Sequence, residues 1–219
     1  MTELPKSWAT AVAAAGGTAG AGDVTRVGTT LLGRWREPHR HHHGEQHLAE
    51  VLDGVQLLQD EAVDVAVVLL AAWYHDAVYD GRPGEDEERS ARCAERELPG
   101  LGLPLQRVQA VAGLVRGTAD HTGDPPEGVD PRDAAVLNDA DLCVLAAPDQ
   151  RYRRYAAGVR AEYAHIPEAA FRTGRAEVLR RLLAAPHLFR TREGRARWEP
   201  AARRNLMGEL GELTVHPAS

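Results

Sequence analysis

Residues 61–80 read EAVDVAVVLLAAWYHDAVYD, and this stretch decides the fold. From Glu61 to Tyr79 apolar side chains fall on nearly every side of a helical wheel (Val63, Val65, Val67, Leu69, Leu70, Trp73 and Tyr74 among them), as expected of a central helix wrapped by others. Asp64 interrupts the run, which is also too short to span a bilayer. It ends in His75-Asp76, where an imidazole and a carboxylate are costly to bury without partners. Taken alone, the pair reads better as a packed core histidine beside a helix-terminal carboxylate than as a ligand pair.

Outward from this helix, apolar residues recur at three- and four-residue intervals and strand-like alternation is absent, so the fold class is all-α. A short helix is expected over Ser7 to Ala15, followed by a Gly-rich connector and Asp23 as an N-cap. The connector is not a phosphate loop, because Asp23 stands where the lysine of such a loop belongs. The next helix runs about Val24 to Trp35 and stops before Pro38. A helix from about His43 to Leu58 carries Leu48, Val51, Leu52 and Val55 on one stripe, with His47 near its start. Further helices are expected at about Asp86 to Leu98, Pro104 to Thr118, Pro131 to Leu145, Asp149 to Tyr163 and Phe171 to Ala184. Beyond Pro186 the chain is Arg-rich, with one short helix around Ala201 to Leu210. The expected organisation is a short helix and connector (1–22), one helical metal-binding domain (23–190), and an extension (191–219) packed on or trailing from it.

Bulk chemistry narrows the function. The 219 residues carry a formal charge of −6 and a pI near 5.9, which does not suit a nucleic-acid backbone. Lys6 is the only lysine, so the positive charge is almost all arginine. Cys93 and Cys143 are isolated thiols without Cys-x-x-Cys spacing, and they make neither a disulfide framework nor a zinc knuckle. Neither an export signal nor a membrane segment is read, and the expected compartment is the cytoplasm.

The rest of the polar set changes how His75-Asp76 reads. His47 lies on the preceding helix, and Asn138-Asp139-Ala140-Asp141-Leu142 puts carboxylates on another apolar helix. Two imidazoles and two carboxylates leave open positions on an octahedral ion. They suit Mn, Fe, Co or Ni, with Mg or Zn admitted, better than a closed structural zinc. Such an ion acidifies a bound water and withdraws charge from a phosphoryl oxygen, so hydrolysis of a phosphate ester or anhydride is the expected reaction. Asp139 and Asp141 sit about 200° apart on a helix, so both cannot bind one ion without distortion.

His47, then His75-Asp76, then Asp141 resemble the H…HD…D signature of the HD superfamily of metal-dependent phosphohydrolases. More closely, Glu37-Pro38-His39-Arg40-His41-His42-His43, Tyr74-His75-Asp76-Ala77-Val78-Tyr79-Asp80, Glu87 with Ser90-Ala91, Thr118 with His121, and Asp139-Ala140-Asp141-Leu142 resemble one bacterial group of predicted HD-type hydrolases. Tyr155, Arg160, Glu162 and Tyr163 resemble its Y…R-x-E-Y segment. The resemblance spans roughly Trp35 to Leu183. It implies an HD-type helical bundle, with His47, His75, Asp76 and Asp141 as metal ligands, Asp141 being preferred to Asp139 on this ground. His42 and Asp86 depart from the pattern, which more often has an aromatic and an asparagine there.

Around the metal, Asp80 and Glu87 are candidates for a general acid or for holding a metal-bound water. His43, taken as i, i+4 to His47, competes with it as a ligand or faces the phosphoryl group. Arg40 offers a fork that matches phosphate, and His121 could reach substrate or a second metal from a polar loop. Tyr155 and Arg160 line the pocket or brace the helix carrying Asp141. The expected partner is a small phosphorylated metabolite or nucleotide, with no nucleic acid, no membrane, and a homodimer as a candidate assembly. Two alternatives stay open: a non-catalytic nucleotide- or metal-binding module of the HD type, and a di-iron oxygenase-type protein.

Overall fold

The structure, a computed structural model, describes residues 3–121 and 124–215; the Thr122-Gly123 part of the expected polar loop lies outside them. The described residues are helical, with no strand among them. In order they form α1 (Leu4–Ala14), α2 (Ala21–Trp35), α3 (Glu45–Leu57), α4 (Val65–Tyr74), α5 (Glu85–Glu97), α6 (Leu105–Gly117), α7 (Pro131–Leu142), α8 (Asp149–Glu162), α9 (Glu168–Ala184) and α10 (Arg192–Val215), with short 3-10 turns such as Cys143–Ala146 between some of them.

The quoted stretch is the hub. α4 packs against α1, α3, α5, α6 and α7, and eight of its ten residues are buried. It is shorter than the sequence suggests, because Asp64 caps it: its carboxylate accepts the Val67 N–H at 3.3 Å, which sets the start four residues late. At the other end Trp35 Nε1 donates to the Trp73 carbonyl at 3.1 Å, satisfying a backbone group that the helix leaves open. Trp8 from α1 meets Trp73 edge to face, centroids 5.4 Å apart, so the first helix belongs to the core.

Helix α2 begins two residues before Asp23, with Gly20 at its N-cap. Asp23 is therefore not the cap; it sits in the first turn and pairs with Arg26 at 2.8 Å. Helix α10 is a larger departure, 24 residues long where a short helix was expected. Its start is capped twice: Thr191 Oγ1 accepts the Gly194 N–H at 2.9 Å, and Glu61 accepts the N–H groups of Arg192 and Glu193 at 2.9 and 2.8 Å. Ala202 and Leu206 bury against a second apolar cluster that includes Leu145, Tyr155, Leu179 and Phe189, so α10 is part of the body.

Helices α3 and α7 approach each other closely at a glycine. A Cβ on Gly54 would stand 3.1 Å from both Cα and Cβ of Ala140. Gly54→Val is expected to force the two helices apart at a cost of about 1–3 kcal/mol, readable as a fall of several degrees in Tm. Because His47 rides on α3 and Asp141 on α7, metal affinity should fall with it.

Candidate metal centre

Four donors from three places in the chain converge under α4. His47 comes from the first turn of α3, His75 and Asp76 from the turn that ends α4, and Asp141 from the last turn of α7. The Nε2 atoms of His47 and His75 face each other at 3.2 Å. Asp141 Oδ1 lies 3.0 Å from the first and 3.6 Å from the second, and Asp76 Oδ2 lies 3.3 Å from His75 Nε2 and 3.8 Å from that of His47. Bonds of about 2.1 Å to one ion put neighbouring donors about 3.0–3.4 Å apart, and His47, His75 and Asp141 meet that spacing most closely. Asp76 flanks the three.

The protonation logic fits a cation. His75 Nδ1 lies 2.9 Å from the Ala72 carbonyl, to which it donates, leaving Nε2 of the neutral ring with a free lone pair. Burial lowers the pKa of His75, but Asp76 and Asp141 more than offset this and raise it to about 9. Burial would push the two carboxyls up, but His75 and its neighbours hold both far below the usual carboxylate range. Two anions thus draw a proton onto the buried His75 imidazole, and a divalent ion can take its place. His47 lacks the brace that His75 has. Its Nδ1 is buried with no partner, and its ring is held by packing against His42 and Trp35, centroids 4.7 and 6.4 Å away.

Asp139 faces the other way. Its Oδ1 accepts the Arg190 N–H at 2.7 Å, and its Oδ2 accepts the N–H and hydroxyl of Thr191 at 2.8 and 2.7 Å. A Cβ on Gly194 would stand 2.5 Å from that same Oδ2. Of the two carboxylates near the end of α7, Asp141 is the one beside the imidazoles and Asp139 ties down the segment leading into α10.

Several expected roles are corrected. His43 is not on the helix of His47, because Gly44 caps α3. It reaches the site from the preceding loop, with its ring stacked on Tyr79 (centroids 4.1 Å) and Nδ1 2.7 Å from Glu162 Oε2. Arg40 is not available to phosphate. Its side chain is fully buried, donating to Glu37 at 3.0 Å and to the carbonyls of His43, Asp76 and Ala77 at 3.1, 2.7 and 3.4 Å. The guanidinium lies between the rings of Trp35 and Tyr79. Arg160 holds the α8–α9 turn through Glu168 and the carbonyls of Tyr163 and Ile166, clear of the cavity. Asp80 is half exposed and paired with Arg89, whose hydrogen bond lowers its pKa, the wrong direction for an acid.

The others stay at the site. Glu87, Tyr155 and His121 line a cavity of about 530 Å³ that opens onto Asp76 and Asp141. Burial raises the pKa of Glu87, while its carboxylate also caps α5 at Gly84. His121 Nε2 is 3.5 Å from Asp141 Oδ2, and its Nδ1 is 3.0 Å from Asn138 Oδ1. Tyr155 stands with its ring edge to His42, centroids 4.6 Å apart. His42, one of the departures from the family pattern, is buried with its pKa pushed well down by burial and by His43 and His47. The other, Asp86, accepts the N–H groups of Asp80 and Arg82, both at 2.8 Å.

The main residue underestimated from sequence is Glu162. Its Oε1 accepts three successive N–H groups, those of His41, His42 and His43, at 2.8, 2.7 and 2.9 Å, a nest closed around an anion. Oε2 takes His43 Nδ1 and the Tyr79 hydroxyl, the latter at 3.1 Å. Burial acts to raise its pKa, but the hydrogen bond from His43 and the nest prevail and hold it at about 2, against an ordinary 4.5. A carboxylate with a depressed pKa gives stability that is present above the ordinary value and lost as pH falls through the folded one. Glu162→Gln is therefore expected to destabilise the protein at pH 7 by roughly 3 kcal/mol. The gap to wild type should close as pH falls from about 4.5 toward 2, as urea midpoints across that window would show.

No family model matches the chain, and no curated protein matches it. Among solved structures, the crystal structure of a Lactobacillus plantarum protein, a structural genomics target, is similar over 89% of this chain and 96% of that one, with TM-score 0.57 and 22% identity. At that identity the likeness concerns the fold alone.

Proposed function

We propose that the chain is a metal-dependent phosphohydrolase acting on a small phosphorylated metabolite or nucleotide. The observation that carries the reading is the convergence of His47, His75 and Asp141, flanked by Asp76, at the end of a cavity large enough for such a molecule. The resemblance of these same residues to the HD signature agrees with it. On this reading those four residues hold a divalent ion such as Mn, Fe, Co or Ni. The ion supplies an acidified water and neutralises charge on a phosphoryl oxygen.

The chain's own groups do the rest. His43, fixed by Glu162 at 2.7 Å, and His121, oriented by Asn138, flank the donors and present imidazoles toward a phosphate. Glu87, whose pKa burial raises, suits protonation of a leaving oxygen better than Asp80 does. The test is turnover of a panel of phosphate esters and nucleotides with added Mn, Co, Ni, Fe or Mg, with His75→Ala as the blank. Metal-dependent turnover absent from the variant is expected; turnover indifferent to both overturns the reading.

A second reading, a two-ion centre of the oxygen-activating kind, is favoured by one observation. Asp141 turns Oδ1 to His47 and Oδ2 toward His121, so it can bridge. Two irons per chain in gently purified protein would support that version, and one ion would exclude it.

A further inference from the structure

We infer that the molecule processed at this site has an aliphatic or aromatic body, and that polyhydroxylated sugar phosphates are poor ligands. This rests on the reading of the site as one for phosphorylated compounds and concerns what the phosphate is attached to.

The cavity holds about 530 Å³, many times the share of one water molecule, about 30 Å³, so the metal donors occupy only one end of it. One wall is a face of α9, where Phe171, Val178 and Leu182 recur at helical spacing; opposite stand Leu142, Val144 and Val159. Val178 is 38% exposed, an aliphatic side chain that the fold leaves bare inside the cavity.

Several polar groups on these walls are already engaged with the protein. The Tyr155 hydroxyl accepts from Arg175 at 3.0 Å, and Arg175 is paired with Glu209 at 2.7 Å. Tyr79 donates to Glu162, and Thr118 donates to the Val115 carbonyl at 2.8 Å. Arg181, an exposed residue, also lines the cavity and is its remaining cation. A sugar hydroxyl pressed against the aliphatic stretches of these walls would lose water and find no partner there, which lowers affinity about fivefold or more for each one. A methylene in the same place gains about fourfold.

Gly174 allows a clean test. It lies on the cavity face of α9, and a Cβ built there meets nothing within 4 Å. Gly174→Leu should therefore fold normally while filling the space meant for the body of the ligand. The probes are ethyl-, butyl- and hexylphosphonate, which cannot be hydrolysed, and a hydroxylated phosphonate of butyl length. Binding is measured by calorimetry with Mn present, and the matching phosphate esters are assayed for turnover.

In wild type, affinity should rise at least tenfold from ethyl to hexyl, and the hydroxylated probe should bind at least tenfold more weakly than butyl. Gly174→Leu should flatten the chain-length series. Equal affinity along the series, or a hydroxylated probe binding as tightly as butyl, overturns the inference. A rising series without turnover of any ester leaves the cavity's preference standing and overturns the hydrolase reading instead.

Discussion

The Asp141→Asn substitution is expected to abolish tight binding of a divalent ion and to lower metal-dependent turnover by more than about 100-fold. Residues that merely orient a ligand cost about 10–100-fold in metal affinity when lost, and Asp141 stands among the donors themselves, 3.0 Å from His47 Nε2. An amide keeps the shape but removes one of the two negative charges facing the ion, leaving Asp76 alone. Asp139→Asn supplies the contrast. It weakens the bonds to Arg190 and Thr191, so its effect should be on stability, with metal content near wild type. Elemental analysis of both variants decides the matter: metal retained by Asp141→Asn and lost from Asp139→Asn would mean that the wrong carboxylate has been assigned.

Loss of the Arg40 side chain should be the most destabilising single change near the site. Arg40→Ala leaves the carbonyls of His43 and Asp76 without their buried donor and frees Glu37. Leaving two carbonyls without their donor costs about 1–3 kcal/mol each, and at about 2–4 °C per kcal/mol for a chain of this size the Tm should fall by roughly 10 °C. Arg40→Lys should not restore it, because one ammonium cannot replace a planar fork that reaches two chain segments at once. Metal affinity should drop in both variants, since Arg40 holds the backbone of Asp76 at 2.7 Å. Were Arg40 a phosphate ligand instead, both variants would melt like wild type and show only a raised KM.

What the sequence discloses here depends on whether a residue acts through its side-chain pattern or through where backbone atoms point. Helix α4 was legible because burial on every side leaves an apolar run, and the α2 stop at Trp35 because Pro38 forbids helix just before it. Asp139 and Asp141 were separable in principle by 200° of helix, though the pattern alone could not say which one faces inward. Arg40 was misread because a guanidinium that binds carbonyls is indistinguishable in sequence from one that binds phosphate. His43 reads as part of α3 because its spacing to His47 fits a helix, whereas Gly44 caps that helix and its first residue, Glu45, comes two after His43. The length of α10 was hidden by its arginines and by Pro200, and its caps come from Thr191 and from Glu61, the latter far away in the chain. The α9 wall of the cavity has no sequence signature at all, since its exposed Val178 and Gly174 read as ordinary helix surface.

The bonds from Asp139 to Arg190 and Thr191 also bear on how the protein is made. During synthesis the residues at 47, 75, 76 and 141 leave the ribosome well before residues 190–194, yet the buried carboxylate two positions before Asp141 takes its backbone hydrogen bonds from those later residues. Until they arrive, α7 carries an unpaired charge where the core should close, and a nascent chain has reason to keep that helix undocked. On the proposed reading, metal capture would then wait for the end of translation, and a product truncated before residue 190 would hold every proposed ligand while lacking the backbone partners of Asp139.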